Sequence, residues 1–92
     1  MKLSNSISLS IIIPTLNEAA HIGHLLEHLK KNSSPKNIKE IIVVDGGSTD
    51  GTPSLAKTLG AKTITSEMGR AKQMNKGAEF ATGHVLYFLH AD

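Results

Sequence analysis

Ninety-two residues suffice for one small domain with a modest core, and a hydrophobic share of 39% excludes a disordered chain. Ten basic residues against eight acidic ones leave a net charge of only +2, and one Tyr, two Phe and no Trp offer no base-stacking platform, so nucleic acid is not an expected partner. The lack of cysteine excludes disulfides and thiolate zinc sites and agrees with a reducing, cytoplasmic location.

The stretch "ISLSIIIP" is too short and too interrupted for a membrane span, and it lacks the small-residue cleavage site of a signal peptide. "SLSIII" (Ser8–Ile13) predicts a first strand that Pro14 breaks. A helix from Asn17 to about Lys31 follows, with Ile22, Leu25, Leu26 and Leu29 on one face. Its N-cap is Asn17, or Thr15 and Glu18 form a capping box. "EIIVV" (Glu40–Val44) predicts a second strand. A helix starts near Thr52, with Pro53 in its first turn, and ends at Gly60. "AKTIT" (Ala61–Thr65) is shorter and more polar, as suits a strand nearer a sheet edge. The third helix spans about Gly69 to Thr82, with Ala71, Met74, Ala78 and Ala81 as a small-residue face towards the sheet, Asn75 lying on it, and Gly83 as its C-terminal cap. "VLYFL" (Val85–Leu89) is the fourth strand. Apolar runs without alternation predict strands covered on both faces. The order β-α-β-α-β-α-β predicts a parallel sheet with helices on both faces, in the order 3-2-1-4, as one domain over residues 1–92. The outer edge of the fourth strand is expected to be uncovered and to invite self-association.

In such sheets ligands bind beyond the carboxyl ends of the strands, and the distinctive residues cluster there. Asp45 ends a buried strand, where a carboxylate accepts hydrogen bonds from a base imino group or a ribose hydroxyl. Gly46 and Gly47 allow close backbone approach to a ligand. Asp50 and Thr52 read more simply as caps of the next helix. Pro14, Thr15, Asn17 and Glu18 present a similar strand-end segment, for which helix capping is the plain alternative. Arg70 and Lys72 open the third helix and suit a diphosphate, or they form a solvated helix start. Asn75 on a sheet-facing side and Gly77 in the helix interior are both costly unless that side also borders a ligand. His90 and Asp92 lie two apart and point to the same side if extended, as ligands for a hard divalent ion that bridges phosphates; the imidazole favours Mn2+ over Mg2+. His21, His24 and His28 share a helical face opposite the apolar stripe and read as surface residues.

"SIIIPTLNE", "EIIVVDGGSTDGT", "GRAKQMNKGA" and "VLYFLHAD" together resemble the start of a family 2 glycosyltransferase of the GT-A fold, over Ser10 to Asp92. The resemblance is greatest to small bacterial members whose metal motif reads His-Ala-Asp. It implies an inverting transfer from a nucleotide-diphospho-sugar donor to an unknown acceptor. Pro14, Thr15, Asn17, Glu18, Asp45 and Gly46 would then hold the nucleoside, Arg70, Lys72 and Asn75 would border the donor, and Asp92 with His90 would bind Mn2+ or Mg2+. Two departures stand out: Gly46 replaces a second Asp found in many members, and His90 replaces the first Asp of the metal motif. The resemblance also implies that the acceptor half and catalytic base lie beyond Asp92, so the chain reads as a donor-binding, truncated part, inactive alone, in the cytoplasm or peripheral to the inner membrane face. The rival readings are a non-catalytic nucleotide-binding module and a nucleotidyltransferase; the latter would carry a Gly-rich basic loop where "PTLNEAA" stands.

Overall fold

The computed structural model describes residues 7–32 and 37–91. Four parallel strands, β1 (Leu9–Thr15), β2 (Ile38–Asp45), β3 (Lys62–Thr65) and β4 (Val85–Phe88), form one sheet in the order β3-β2-β1-β4. The helices are α1 (Ala19–Asn32), α2 (Thr52–Thr58) and α3 (Arg70–Phe80). The expected element order and strand order are therefore both observed.

Alternation along the two central strands builds two cores. Ile11, Ile13 and Val43 point to one face, where they pack with Ile22, Leu26 and Leu29 of α1 and Ala56 of α2. Ile12, Ile42 and Val44 point to the other face, under α3, with Ala78 and Ala81 against them. Each fully buried Ile or Val contributes about 1.5–3 kcal/mol of transfer free energy.

The α3 face differs from expectation. Gln73 and Gly77 are its buried residues, whereas Ala71 and Asn75 are exposed. Gly77 sits there because there is no room for a side chain: a Cβ would run into Ile12 Cγ2 and come within 3.0 Å of Val44 Cγ2. Its cost in helix propensity is thus offset by close packing on the sheet, not by a ligand. Gly83 likewise is no helix cap. The helix ends at Ala81 in an extended conformation, and Gly83 passes so close to β1 that a Cβ would lie 2.7 Å from Ser10 Oγ.

Two further expectations are corrected. Pro14 does not break β1, which continues through it to Thr15. Pro14 pairs on the β2 side with Val44, while pairing with β4 stops at Ile12–Phe88, so the missing N–H faces a side with no strand beside it. β4 is also not covered on both faces: Val85, Leu86, Tyr87 and Phe88 are all exposed. It is an edge strand held by β1 alone, and its apolar run reflects composition, not burial by the described residues. β3, as expected, forms the opposite edge.

The pole away from the strand ends is tied by a buried acid. Glu40, 6% exposed, accepts from Ser10 Oγ (2.6 Å), the Thr82 N–H (2.6 Å) and Thr82 Oγ1 (3.0 Å), and pairs with Lys62 Nζ (2.7 Å). Burial pushes its pKa up, but the Lys62 ammonium and the hydrogen bonds from Ser10 and Thr82 outweigh that and hold it at about 2. One carboxylate thereby joins β2 to β1, β3 and the end of α3.

Candidate functional site

At the carboxyl ends of the strands, the β1–α1 and β2–α2 loops hold each other by hydrogen bonds. Thr15 Oγ1 donates to Asp45 Oδ1 (2.8 Å) and the Gly46 N–H to the Thr15 carbonyl (3.0 Å). The Asn17 N–H donates to Ser48 Oγ (2.8 Å), and the Thr49 N–H donates back to Asn17 Oδ1 (2.8 Å). Asn17 has φ 55, a left-handed conformation that Asn tolerates better than most residues. It is therefore a loop-to-loop bridge and not the N-cap of α1. The first N–H groups of α1 are satisfied from the neighbouring loop instead: Glu18 donates to Thr52 Oγ1 (2.9 Å) and Ala19 to Asp50 Oδ2 (3.0 Å). Asp50 also accepts from the Thr52 N–H (3.1 Å) and hydroxyl, so one exposed acid serves the starts of both helices, and these bonds lower its pKa.

Asp45 is 1% exposed and fully engaged. Oδ1 accepts from Thr15 Oγ1 and Ser48 Oγ (2.6 Å); Oδ2 accepts from the N–H groups of Gly47 (3.0 Å) and Ser48 (2.7 Å). A carboxylate has about four acceptor positions, and all are used, three by the turn and one by Thr15 of β1. The carboxylate thereby ties the β2–α2 turn to the end of β1. Burial raises its pKa, the bonds from Ser48, Thr15 and Gly47 lower it, and the net shift is downward. Gly47 has φ 108, which suits glycine and lets the turn fold its N–H onto the acid.

Beside these loops lies an open cleft of about 180 Å³, lined by Pro14, Thr15, Leu16, Glu18, Met68, Gly69, Arg70, Gln73 and His90. Of the residues expected from sequence, it brings together Pro14, Thr15, Glu18, Arg70 and His90. Asn17, Asp45 and Gly46 are not among its lining residues. Lys72 and Asn75 are not in it: they line a separate surface hollow with Ser66, Glu67, Lys76 and Glu79, where Lys72 pairs with Glu67 at 3.0 Å. Asp92 lies outside the described residues. His90 offers an imidazole at the rim, but no group of three or more His, Asp or Glu suited to a metal occurs among the described residues. His21, His24 and His28 are exposed on α1, as expected, and His21 approaches Glu18 (3.2 Å).

Sequence reasoning missed Gln73. Its amide, 4% exposed, donates to the carbonyls of Thr15 (2.8 Å) and Val44 (2.9 Å) and accepts from the Gly69 N–H (3.1 Å). The available signal was its spacing of four from Gly77, which places both on one helical face. Gly46 lies against Gln73: a Cβ there would lie 2.8 Å from Gln73 Oε1.

The arrangement of parallel strands, interlocked loops and a polar cleft at their ends recurs in known proteins. The "PGL/p-HBAD biosynthesis glycosyltransferase" of Mycobacterium bovis (strain BCG / Pasteur 1173P2) is 40% identical over 90 residues, covering 90% of this chain and 34% of that protein. Mannosyl-3-phosphoglycerate synthase from Rubrobacter xylanophilus superposes with a TM-score of 0.88 at 24% identity, over 99% of this chain and 32% of that one. Glucosyl-3-phosphoglycerate synthase from Mycobacterium tuberculosis, crystallised with Mn2+, UDP and glucosyl-3-phosphoglycerate, gives 0.84 at 24% identity, over 94% and 34%. The chain thus spans about a third of the length of such relatives, and the fold is of the GT-A type. Since the family model described as "Glycosyl transferase family 2" matches residues 10–92, nearly the whole chain, the protein belongs to glycosyl transferase family 2.

Proposed function

We propose that these residues form the donor half of an inverting glycosyltransferase that takes a nucleotide-diphospho-sugar. The observation that carries the reading is the cleft in which strand-end residues of β1, the start of α3 and His90 converge, in a chain of this family. The Pro14–Glu18 segment forms the wall for the nucleoside, held in place from behind by Asp45. Arg70, exposed at the first turn of α3, offers a guanidinium to the diphosphate oxygens. Lys72 and Asn75 face the neighbouring hollow, so they act on the donor only through its field or not at all.

In the transfer, an acceptor hydroxyl attacks the anomeric carbon, the bond from that carbon to the diphosphate oxygen breaks, and the hydroxyl proton passes to a base that we assign to none of the described residues. His90, with Asp92, would hold a divalent ion, Mn2+ more than Mg2+. When bound, such an ion would neutralise charge on the leaving nucleoside diphosphate. That the relative from Mycobacterium tuberculosis was crystallised with Mn2+ and UDP supports this choice of ligands.

A thermal-shift panel of UDP, GDP and dTDP, with and without Mn2+, tests the reading. A nucleotide at about 100 times its Kd stabilises the folded state by about 2.7 kcal/mol. At least one nucleotide should raise the melting temperature, and more so with Mn2+. In Asp92→Asn the added effect of Mn2+ should shrink to that of metal–nucleotide complexation in solution. No shift with any nucleotide would sink the donor-site reading.

A further inference from the structure

We propose that Gln73 is a positioning residue whose buried amide fixes the width of the donor cleft, with Gly46 as its obligatory small partner. The inference rests on the donor-site reading above and adds to it a residue and a mechanism. Three segments must keep their spacing for the cleft to exist: the end of β1, the end of β2 and the first turn of α3. The Gln73 amide reaches one backbone group on each, the Thr15 carbonyl being shared with the Gly46 N–H. Its two N–H bonds go to the carbonyls of Thr15 and Val44, and its oxygen takes the N–H of Gly69. Both amide hydrogens are used, and among the described residues no buried side-chain polar atom is left without a partner.

Thr15, Gly69 and Gln73 all line the cleft, and the Gln73 amide bonds the backbone of the other two. A side chain one methylene shorter would not span the same three groups, and an apolar side chain of equal length would remove all three bonds, leaving the Thr15 carbonyl only the one from the Gly46 N–H. The space for the amide comes from Gly46, since any Cβ there would lie 2.9 Å from Gln73 Cδ and 3.2 Å from Nε2. Gly46 has no positive φ, so conformational freedom does not account for it. Steric exclusion by Gln73 does.

The test measures the affinity of the protein for UDP and for GDP, each with Mn2+, by calorimetry. It compares the parent with Gln73→Met, Gln73→Ala, Gly46→Ala, the double variant Gly46→Ala/Gln73→Ala and Glu40→Gln. Measurements are made at a temperature where circular dichroism shows each to be folded. Gln73→Met and Gly46→Ala should each weaken binding about tenfold, since each moves the walls. The Gly46→Ala step should cost much less once Gln73 is alanine, because the clash is then gone. Glu40→Gln lowers stability from the far pole of the sheet, about 17 Å away along β2, and should leave affinity unchanged. The inference is overturned if Gln73→Met binds as the parent does, or if Glu40→Gln weakens binding as much, which would make stability alone the cause. A parent that binds neither nucleotide overturns the donor-site reading itself.

Discussion

On one side of the cleft, the β1–α1 and β2–α2 loops are joined by reciprocal bonds through Thr15, Asn17, Asp45, Ser48, Thr49, Asp50 and Thr52. On the other side, His90 follows an edge strand whose four residues are all exposed and whose last ladder bond is Leu89 N–H to the Ile12 carbonyl (2.9 Å). The first wall is set by hydrogen bonds that the chain itself satisfies, and it costs no reorganisation when a ligand arrives. The second depends on a single neighbouring strand. On the proposed donor-site reading, a nucleotide would meet the Thr15 side already formed.

The largest effect should come from breaking the pre-formed wall. Asp45→Ala removes a buried acceptor from four donors, and hydrogen bonds to a charged group contribute about 1.5–3 kcal/mol each, with strong non-additivity. A loss of about 3 kcal/mol is expected, which for a chain this size lowers the melting temperature by roughly 12–24 °C. A melting temperature within a few degrees of the parent would mean that the turn holds its shape without the acid.

A smaller loss, away from both walls, should follow Glu40→Gln, at about 1–3 kcal/mol. The pH dependence has a definite sign. The folded pKa of Glu40 is about 2, below the unfolded value of roughly 4.3, so its stabilisation is full above the unfolded value and is lost as pH falls towards 2. Asp45, also depressed, contributes with the same sign. Chemical denaturation between pH 5 and pH 2 should show the parent losing stability more steeply than Glu40→Gln. Parallel curves would remove Glu40 from the acid response.

The smallest effect on stability belongs to the exposed edge. Tyr87→Lys should change the unfolding free energy by less than about 0.5 kcal/mol, because Tyr87 is 54% exposed. It should nevertheless suppress self-association, since a lysine on an edge strand opposes pairing with another edge. Sedimentation velocity over a concentration series should show the parent shifting to faster species and the variant not; identical profiles would show that the edge attracts nothing.

How much of this was legible depended on what each residue's neighbours are. The β-α order was readable because the apolar runs at Ile11–Ile13 and Ile41–Val44 have no helical period. The exposure of β4 was not, because "VLYFL" is equally apolar whether or not anything covers it. The sheet-facing side of α3 was misplaced because its buried residues are Gln73 and Gly77, which carry no hydrophobic signal, while Ala71 looked like core and is exposed. The cleft residues Thr15, Glu18, Arg70 and His90 were found from their positions at strand ends and a helix start. The engagement of Asp45 within its own turn was not, since sequence names an acid without revealing whether its lone pairs are free.

The proline in β1 has a consequence for register. In a parallel ladder the bond after Leu89 N–H to the Ile12 carbonyl would require an N–H from residue 14, and proline has none. β4 therefore cannot slide two residues further along β1 without forfeiting a bond at every attempt. The pyrrolidine ring acts as an end-stop that keeps the chain after Leu89 out of the sheet. A strand free to zip onward would draw His90 into line and shut the crevice from which it now projects.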